Sequence, residues 1–248
     1  MLKKGSVFYF LFLLNASVLL FAALISCSKN NTSIPTSSNV RLQVIQLSPN
    51  SYTANLFMAN LRVGTSSFSY GNTPNYFYLP RTDTALQIRI SRDSVQAFNN
   101  DTKLLDNKRY SLFFLGLYGD TTSARKLRTL VTTDDAEELP PVGKGGKLRF
   151  LNGSPNTNGS FDIWANGSLL IKGVAFAKVS NFTTLPAGNY TFRVYQANTS
   201  VNSIGELANV TVQDGRLYTL YSRGLVGRAV SDTAAFNLSV VPNNPTVY

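Results

Sequence analysis

Apolar and polar residues alternate with a period of two along short stretches of this chain. Apolar side chains occupy every second position of Leu86–Ile90 and of Tyr190–Val194. A period of two places the apolar side chains on one face of a half-buried β-strand. No stretch of about 12 residues after Cys27 has the stripe of an amphipathic helix. The pattern therefore predicts an all-β fold.

Turn-forming residues separate these stretches. Ser154-Pro155-Asn156, Asn166-Gly167 and Asp214-Gly215 contain residue types that preset the backbone or tolerate positive φ. Short alternating strands joined by such turns are typical of antiparallel β-sandwiches. We expect sandwiches that are Ig-like in the broad sense.

The chain also contains an internal repeat. Residues 41–80 lie over residues 147–186 with a constant offset and no gap, so that Ala59-Asn60 lies over Ala165-Asn166. Residues 106–112 lie over 214–220 after a small shift. Duplication of one domain is the simplest explanation. It predicts two tandem β-sandwiches, at residues 39–132 and 147–248.

Residues 133–146 are predicted to link the two repeats. They include Asp134, Asp135, Glu137 and Glu138, followed by two prolines, and this is the composition of a solvated linker. The acidic residues could also collect a calcium ion with the help of carbonyl groups. They lack an ordered loop spacing, however, and a linker is favoured. We predict no metal and no other cofactor.

The N-terminal segment is typical of an export signal. Lys3 and Lys4 precede an apolar run from Val7 to Ile25. The run ends in Leu24-Ile25-Ser26-Cys27, which resembles the lipobox of bacterial lipoproteins, and Cys27 is the only cysteine. The resemblance implies that residues 1–26 are a lipoprotein signal peptide and that Cys27 is acylated and holds the protein on a membrane. An uncleaved spanning helix and an ordinary secretory signal are the alternatives.

Residues 27–38 are rich in Ser, Thr and Asn, and we expect a flexible tether between the lipid and the fold. Ser28 stands where an Asp would resemble the signal that retains lipoproteins in the inner membrane. The outer membrane is therefore favoured, with the periplasmic and the outward face both open. The membrane itself, contacted through the lipid anchor, is the first predicted partner.

Composition excludes several catalytic classes. The chain has no histidine, and its one cysteine is predicted to be lipidated. Catalytic triads, thiol catalysis and thiolate metal sites are excluded on these grounds. The net charge of +10 becomes +8 when the two lysines of the signal peptide are removed. A basic surface could meet anionic lipid or acidic glycans, although dispersed solubilising charge is the simpler explanation. No nucleic-acid motif is present, and we predict no nucleic-acid partner.

Three segments of the second repeat carry a family resemblance. They are residues 148–156 with Ser154-Pro155, residues 161–167 with Asp162, and residues 185–194 with a Pro-Ala-Gly turn before an aromatic strand. Together they resemble the domain-of-unknown-function family 4397, as it occurs in lipoproteins of the Bacteroidota. The match is weaker in the first repeat, where Leu56 stands over Asp162. The resemblance implies a β fold in the cell envelope and no particular activity.

Three aromatic residues are candidates for ligand contact. Trp164 is the only tryptophan, and an exposed indole could stack on a sugar ring, although its match to Met58 favours the core. Tyr76 and Tyr78 flank Phe77, which places aromatic rings on both faces of one strand. We expect at least one of these rings to be exposed or to lie between the domains.

Four Asp-Ser/Thr pairs resemble the acceptor sites of periplasmic O-glycosylation in the Bacteroidota. The acceptor residues would be Thr84, Ser94, Thr121 and Thr233. The same pairs also begin turns, which is the alternative explanation.

These observations predict a non-enzymatic envelope protein whose loops bind a glycan or an envelope protein. A purely structural spacer is the first alternative. The second is a hydrolase that uses Asp162 with another carboxylate.

Overall fold

Strands and turns make up the described part of the protein, which contains no helix. The computed structural model describes residues 38–72, 75–92, 97–136, 139–141, 143–155 and 159–244. The all-β prediction is confirmed for these ranges. Accordingly, they hold no helix that is long and apolar enough to cross a membrane. The signal peptide, Cys27 and the tether as far as residue 37 lie outside the described residues.

The described strands of the first repeat form two sheets, ordered β4-β1-β7-β8 and β3-β2-β5-β6. The strands are β1 (Arg41–Gln46), β2 (Ala54–Met58), β3 (Leu61–Arg62), β4 (Phe77–Tyr78), β5 (Leu86–Ile90), β6 (Ala97–Asn100), β7 (Arg109–Leu115) and β8 (Arg128–Thr133). In β2 and β5 every second residue is buried, as the alternation predicts. These inward side chains meet those of β1 and β7 in one apolar core.

The second repeat has the same topology, with sheets ordered β12-β9-β15-β16 and β11-β10-β13-β14. Its strands are β9 (Gly146–Asn152), β10 (Ser160–Ala165), β11 (Ser168–Ala175), β12 (Thr183–Leu185), β13 (Gly188–Gln196), β14 (Gly205–Val212), β15 (Leu217–Arg223) and β16 (Asn237–Pro242). A second apolar core fills the space between these two sheets. The prediction of two tandem β-sandwiches is therefore confirmed.

One pair of strands in each repeat is parallel, which the alternation did not predict. β1 runs parallel to β7 with Leu42 opposite Tyr110, and β9 runs parallel to β15 with Leu148 opposite Tyr218. A parallel pair needs a long connection between its strands. Here the connection is the rest of the sandwich, since the first strand of each repeat pairs with the seventh.

The strands β1, β7, β9 and β15 are buried on both faces. Leu42 of β1 packs inside the first sandwich. Ile45, on the opposite face of the same strand, lies in a third apolar cluster with Phe113, Leu151 and Tyr221. This third cluster joins the two repeats, and the chain from Thr36 onward forms one compact unit. The four sheets are therefore stacked in four layers, with the β1 and β9 sheets in the middle.

Equivalent residues of the two repeats meet at this shared core. The rings of Phe113 and Tyr221 lie 6.5 Å apart, and these residues occupy matching positions in β7 and β15. A Cβ atom on Gly153 would lie 2.7 Å from Leu47, its own counterpart in the first repeat. The repeats thus pack through equivalent faces, as the subunits of a two-fold symmetric dimer do.

The segment that we expected to be a solvated linker begins inside the protein. Asp134 is 0% exposed and Asp135 is only half-exposed. Asp134 pairs with Arg149, and Asp135 pairs with Arg109. The prediction of a solvated segment is wrong for Asp134, because the chain passes between the two middle sheets at this point.

The repeats are not related by one constant offset. The β2–β3 turn places Ala59 at φ 48° and Asn60 at φ 64°, and the β10–β11 turn places Asn166 at φ 47° and Gly167 at φ 84°. Ala59 therefore corresponds to Asn166, and the gap-free alignment that paired it with Ala165 is wrong by one residue. The second repeat has one additional residue between its first two strands, which shifts every side chain of β10 to the other face.

Candidate functional site

A cleft of about 610 Å³ opens between the two sheets of the first repeat. β1, β4 and the segment 63–69 after β3 form its walls. β3 ends at Arg62, whereas its counterpart β11 continues to Ala175. The cleft lies beside the segment that follows the early end of β3.

Aromatic side chains line one wall of the cleft. Tyr76 directly precedes β4, which consists of Phe77 and Tyr78. Phe77 stacks on Phe68 with their ring centroids 6.3 Å apart. Tyr78 is 59% exposed. Two of the three aromatic residues that the sequence singled out, Tyr76 and Tyr78, thus lie together at one site.

Much of the rest of the lining is polar and uncharged. It contains hydroxyl and amide side chains from the segments beside β4, namely Thr65, Ser66, Ser67, Ser69, Asn72 and Asn75. No Lys, Arg, Asp or Glu is among the described residues that line the cleft. The site offers apolar ring faces and neutral hydrogen-bonding groups, which suits a neutral ligand that also has hydroxyl groups.

Gln46, at the end of β1, also lines the cleft, although sequence reasoning did not single it out. Its side chain is 4% exposed, and its Oε1 accepts a hydrogen bond of 2.6 Å from the Ser48 backbone N–H. Its Nε2 is buried and has no hydrogen-bond partner in the part of the chain that the structure describes. Buried amide groups normally have partners, so this nitrogen requires an explanation.

Tyr76 connects the cleft to the interface between the repeats. Its hydroxyl donates to Asp134 Oδ2 at 2.6 Å and lies 3.2 Å from the backbone oxygen of Asn243. Burial and the neighbouring Asp134 carboxylate raise the pKa of the Tyr76 hydroxyl. Tyr76 therefore remains a proton donor to Asp134, and its position depends on both repeats.

The groups around Asp134 form a buried polar cluster in which the two repeats use matching positions. In the first repeat Gln43 donates to Ser111 at 2.7 Å, and in the second Arg149 donates to Thr219 at 2.9 Å. Only the second repeat has a cation here, and Arg149 reaches across to Asp134 at 2.5 Å. Burial raises the pKa of the Asp134 carboxyl group, and Arg149 opposes this effect.

A second cleft, of about 680 Å³, runs along the interface beside this cluster. It is lined by Asp135 and Arg149, among other residues. Both charges are already paired inside the protein, Asp135 with Arg109 and Arg149 with Asp134. This second cleft is a weaker candidate because its charged groups are used by the fold.

Comparison with family models identifies the repeat. The model described as Domain of unknown function (DUF4397) matches twice, over residues 38–158 and 146–246. The chain belongs to this family. The suspected relationship and the presence of two copies are both confirmed, and the cleft lies in the first DUF4397 copy. No curated protein matches the chain.

Trp164 does not line the cleft and lies in the other DUF4397 copy. It is half-buried on the outer face of β10, where it packs edge to face against Tyr195 with the ring centroids 5.6 Å apart. Its match to Met58 had favoured a core position, and this interpretation is wrong because of the one-residue shift. Met58 corresponds to Ala165, which lies in the second core with Ile163.

Asp162 is buried and bonded to the backbone, which points to a structural role. It is 3% exposed, and its two oxygens accept hydrogen bonds from the backbone N–H groups of Gly173 at 2.7 Å and Asn198 at 3.0 Å. The corrected alignment places it over Asn55 and not over Leu56. Asp162 thus ties β11 and the turn after β13 to β10, and both of its oxygens accept backbone hydrogen bonds.

The three described acceptors proposed for O-glycosylation, Thr84, Thr121 and Thr233, do not line the cleft. Thr121 and Thr233 are exposed in the loops that follow β7 and β15, and Thr84 is half-exposed before β5. Asp120 and Asp232 each accept a 2.8 Å hydrogen bond from the backbone N–H two residues later. These pairs therefore do begin turns, and two of them present an exposed hydroxyl. Ser94 lies outside the described residues.

The acidic segment gives no support to a calcium site. Its two described aspartates, Asp134 and Asp135, are both paired with arginines. In the described ranges of the chain, no three His, Cys, Asp or Glu side chains are grouped so that they could hold a metal ion.

Proposed function

We propose that this chain is a non-enzymatic binding module of the bacterial cell envelope, and that the cleft of the first DUF4397 copy is its binding site for a glycan. The observation that carries the proposal is the combination of an exposed tyrosine, further aromatic rings and an uncharged polar lining in one cleft of about 610 Å³. Sugars present apolar C–H faces to aromatic rings and hydroxyl groups to neutral donors and acceptors.

Substitution of Tyr78 tests this proposal. On an array of neutral glycans the unmodified protein should bind at least one member saturably, and Tyr78→Ala should weaken that binding about tenfold or more, because an exposed ring at a binding site is a typical hot spot. Tyr52→Ala is the matched control, since Tyr52 is also exposed but does not line the cleft. Equal losses in both variants would contradict the placement of the site.

A structural spacer is the second candidate function. It is favoured by the shared apolar core, which joins the two DUF4397 copies into one stack of four sheets. A spacer would show no saturable binding on the glycan array and no saturable crosslink to an envelope protein.

We further propose that the protein is held on the outer membrane through acylated Cys27. Support comes from the export signal and from the position of the only cysteine directly after it. Cys27→Ala should abolish labelling by a fatty-acid analogue and leave the precursor uncleaved or mislocalised. The intact mass of the membrane form reports signal cleavage and acylation together, and it would also reveal glycans on Thr84, Ser94, Thr121 or Thr233. Continued labelling of the variant would contradict the anchor.

A further inference from the structure

We propose that Gln46 is the group that selects the ligand of this cleft, by donating a hydrogen bond from Nε2 to a hydroxyl oxygen of a neutral pyranose. The inference rests on the proposed function and specifies its ligand class. It also assigns the binding activity to the first DUF4397 copy alone.

The orientation of the Gln46 amide is determined by its neighbour. The Ser48 backbone N–H is a donor, so the Gln46 atom that lies 2.6 Å away must be the carbonyl oxygen. The NH₂ group is then directed away from Ser48. It is buried, and no acceptor among the described residues reaches it. A buried donor without a partner destabilises the folded protein, and an arriving acceptor would remove that cost.

The second DUF4397 copy shows how the same position is satisfied without a ligand. Asn152 corresponds to Gln46, and its Oδ1 accepts from the Ser154 backbone N–H at 3.1 Å. Its Nδ2 donates to the backbone oxygen of Val174 at 3.0 Å. Both amides therefore hold the turn after the first strand, but only Asn152 has an acceptor for its NH₂ group.

The equivalent backbone oxygen in the first copy does not accept from Gln46. Val174 belongs to β11 and lies opposite Phe161 of β10. Phe68 lies at the matching place, opposite Ala54 in an isolated bridge, and its backbone oxygen accepts a hydrogen bond of 2.9 Å from the Ala54 N–H. The cleft runs along the segment that contains Phe68, and the NH₂ group of Gln46 has no acceptor there among the described residues.

The surroundings of Gln46 define the chemistry of that ligand. Tyr76, Phe77 and Tyr78 offer ring faces or edges to an apolar surface, and the hydroxyl groups of Thr65 and Ser66 can pair with further ligand hydroxyls. A charged ligand would find no opposite charge among the described lining residues. A neutral pyranose ring matches both features, because it has an apolar C–H face and several hydroxyl oxygens that accept hydrogen bonds.

The experiment uses the methyl glycosides of glucose, galactose, mannose and N-acetylglucosamine as probes, with glucuronic acid as the anionic comparison. In the full mature protein, binding of a neutral probe should shift the side-chain amide NMR signal of Gln46. Gln46→Glu identifies that signal by its loss. The variant keeps the acceptor for Ser48 and removes the donor, so at pH 7.5 it should weaken binding of the same probe about tenfold or more.

Asn152→Asp in the second copy is the matched control. It also replaces an amide NH₂ by an oxygen at the equivalent turn, and it removes a hydrogen bond to Val174. It should lower the melting temperature and leave the affinity for the probe unchanged. If Gln46→Glu does not fold, the shift of the Gln46 amide signal in the unmodified protein still decides the question.

Several outcomes would overturn the inference. If Tyr78→Ala loses binding while Gln46→Glu keeps it and the Gln46 signal does not move, the cleft binds glycans without Gln46 and only the further inference fails. If no neutral probe binds, the further inference and the proposed function both fail. Preferential binding of glucuronic acid would refute the neutral class, and saturation by N-acetyl-triglycine amide in place of the sugars would identify a peptide ligand.

Discussion

Asp106 and Asp214 perform the same task in the two DUF4397 copies. Asp106 accepts a hydrogen bond from the Asn39 backbone N–H at 2.6 Å, and Asp214 accepts from the N–H groups of Gly143 and Gly145 at 2.7 Å. Each aspartate thus ties the chain entering the first strand of its copy to the turn before the seventh. The backbone hydrogen bonds at Asp214 lower the pKa of its carboxyl group, which favours the charged acceptor.

Tyr110 and Tyr218 are a second such pair. Their hydroxyl groups accept from the backbone N–H groups of Leu105 and Gln213, at 2.9 and 3.1 Å. Both tyrosines are the second residue of the seventh strand of their copy, and they fasten the turn that precedes this strand. The second block of the internal repeat is enough to recognise such matching residues, because each tyrosine bonds only to the turn directly before its own strand.

Gly224 and Gly227 provide a test of close packing at the residue scale. Both have positive φ, 74° and 84°, but a Cβ atom on Gly224 would lie 2.1 Å from the Ala235 backbone oxygen, whereas Gly227 has nothing within 4 Å. Gly227→Ala should cost about 1–2 kcal/mol through backbone strain. Gly224→Ala should cost about 1–3 kcal/mol more, because backbone must also move.

Urea unfolding of the two variants measures this difference. Gly116, the counterpart of Gly224 in the first copy, has a similar contact of 2.4 Å with the Lys126 oxygen and should behave in the same way. Equal stabilities of the Gly224 and Gly227 variants would contradict the role assigned to the close backbone approach.

At the scale of elements, the strands that alternate cleanly are the ones that face solvent on one side. β2 and β5 are of this type, and the sequence pattern identifies β5 directly. The strands β1, β7, β9 and β15 are buried on both faces, although polar residues such as Gln43 and Ser111 interrupt their apolar residues. The continuous apolar run that is typical of a strand between two layers is therefore incomplete in them.

The shift between β2 and β10 explains why two candidate residues were misplaced. Side chains alternate between faces along a strand, so an error of one residue reverses every assignment. The gap-free alignment compared Trp164 with the inward residue Met58, although Trp164 lies on the outer face of β10. It also compared Asp162 with Leu56, although the true counterpart of Asp162 is Asn55. Only the hairpin turns, with their positive φ values, reveal the correct match.

At the scale of the whole molecule, the two copies are joined by a core and by a buried ion pair. Arg149 and Asp134 have side chains that are 5% and 0% exposed. Hydroxyl groups of Tyr76 and Ser111 complete the shell of Asp134. Of the two matching positions, Gln43 and Arg149, only the second carries a charge. The ion pair with Asp134 therefore forms in only one arrangement of the copies, and it favours a single relative orientation.

Removal of one partner of this pair should destabilise the whole stack. Asp134→Ala leaves Arg149 buried without its counter-charge, and we expect a loss of about 3–5 kcal/mol. The double variant Asp134→Leu with Arg149→Met should recover most of this loss, because apolar residues of similar size can replace a buried ion pair. Urea unfolding, followed by fluorescence and by circular dichroism, measures both variants.

Both probes should also report one common transition in the unmodified protein, since the third apolar cluster belongs to both copies. Two separate transitions, or a double variant as unstable as the single one, would show that the copies are stabilised independently of each other.

The sequence by itself determined the features that depend on neighbouring residues. Alternation identified half-buried strands, turn residues separated them, and self-similarity with motif spacing indicated two DUF4397 copies. The placement of Tyr76 or Tyr78 at an exposed or interdomain position also followed from alternation along β4. In the structure Tyr78 is exposed and Tyr76 reaches the interface.

Only the tertiary structure decided which distant groups meet. Gln46 and Asn152 occupy the same turn, and only for Asn152 does a described backbone oxygen, that of Val174, accept from the side-chain amide. Asp134 belongs to a segment with the composition of a linker, and it can be buried because the opposite repeat supplies Arg149 as its partner. Contacts of this kind depend on the stacking of four sheets, which brings together residues that are far apart in the chain and that no local pattern connects.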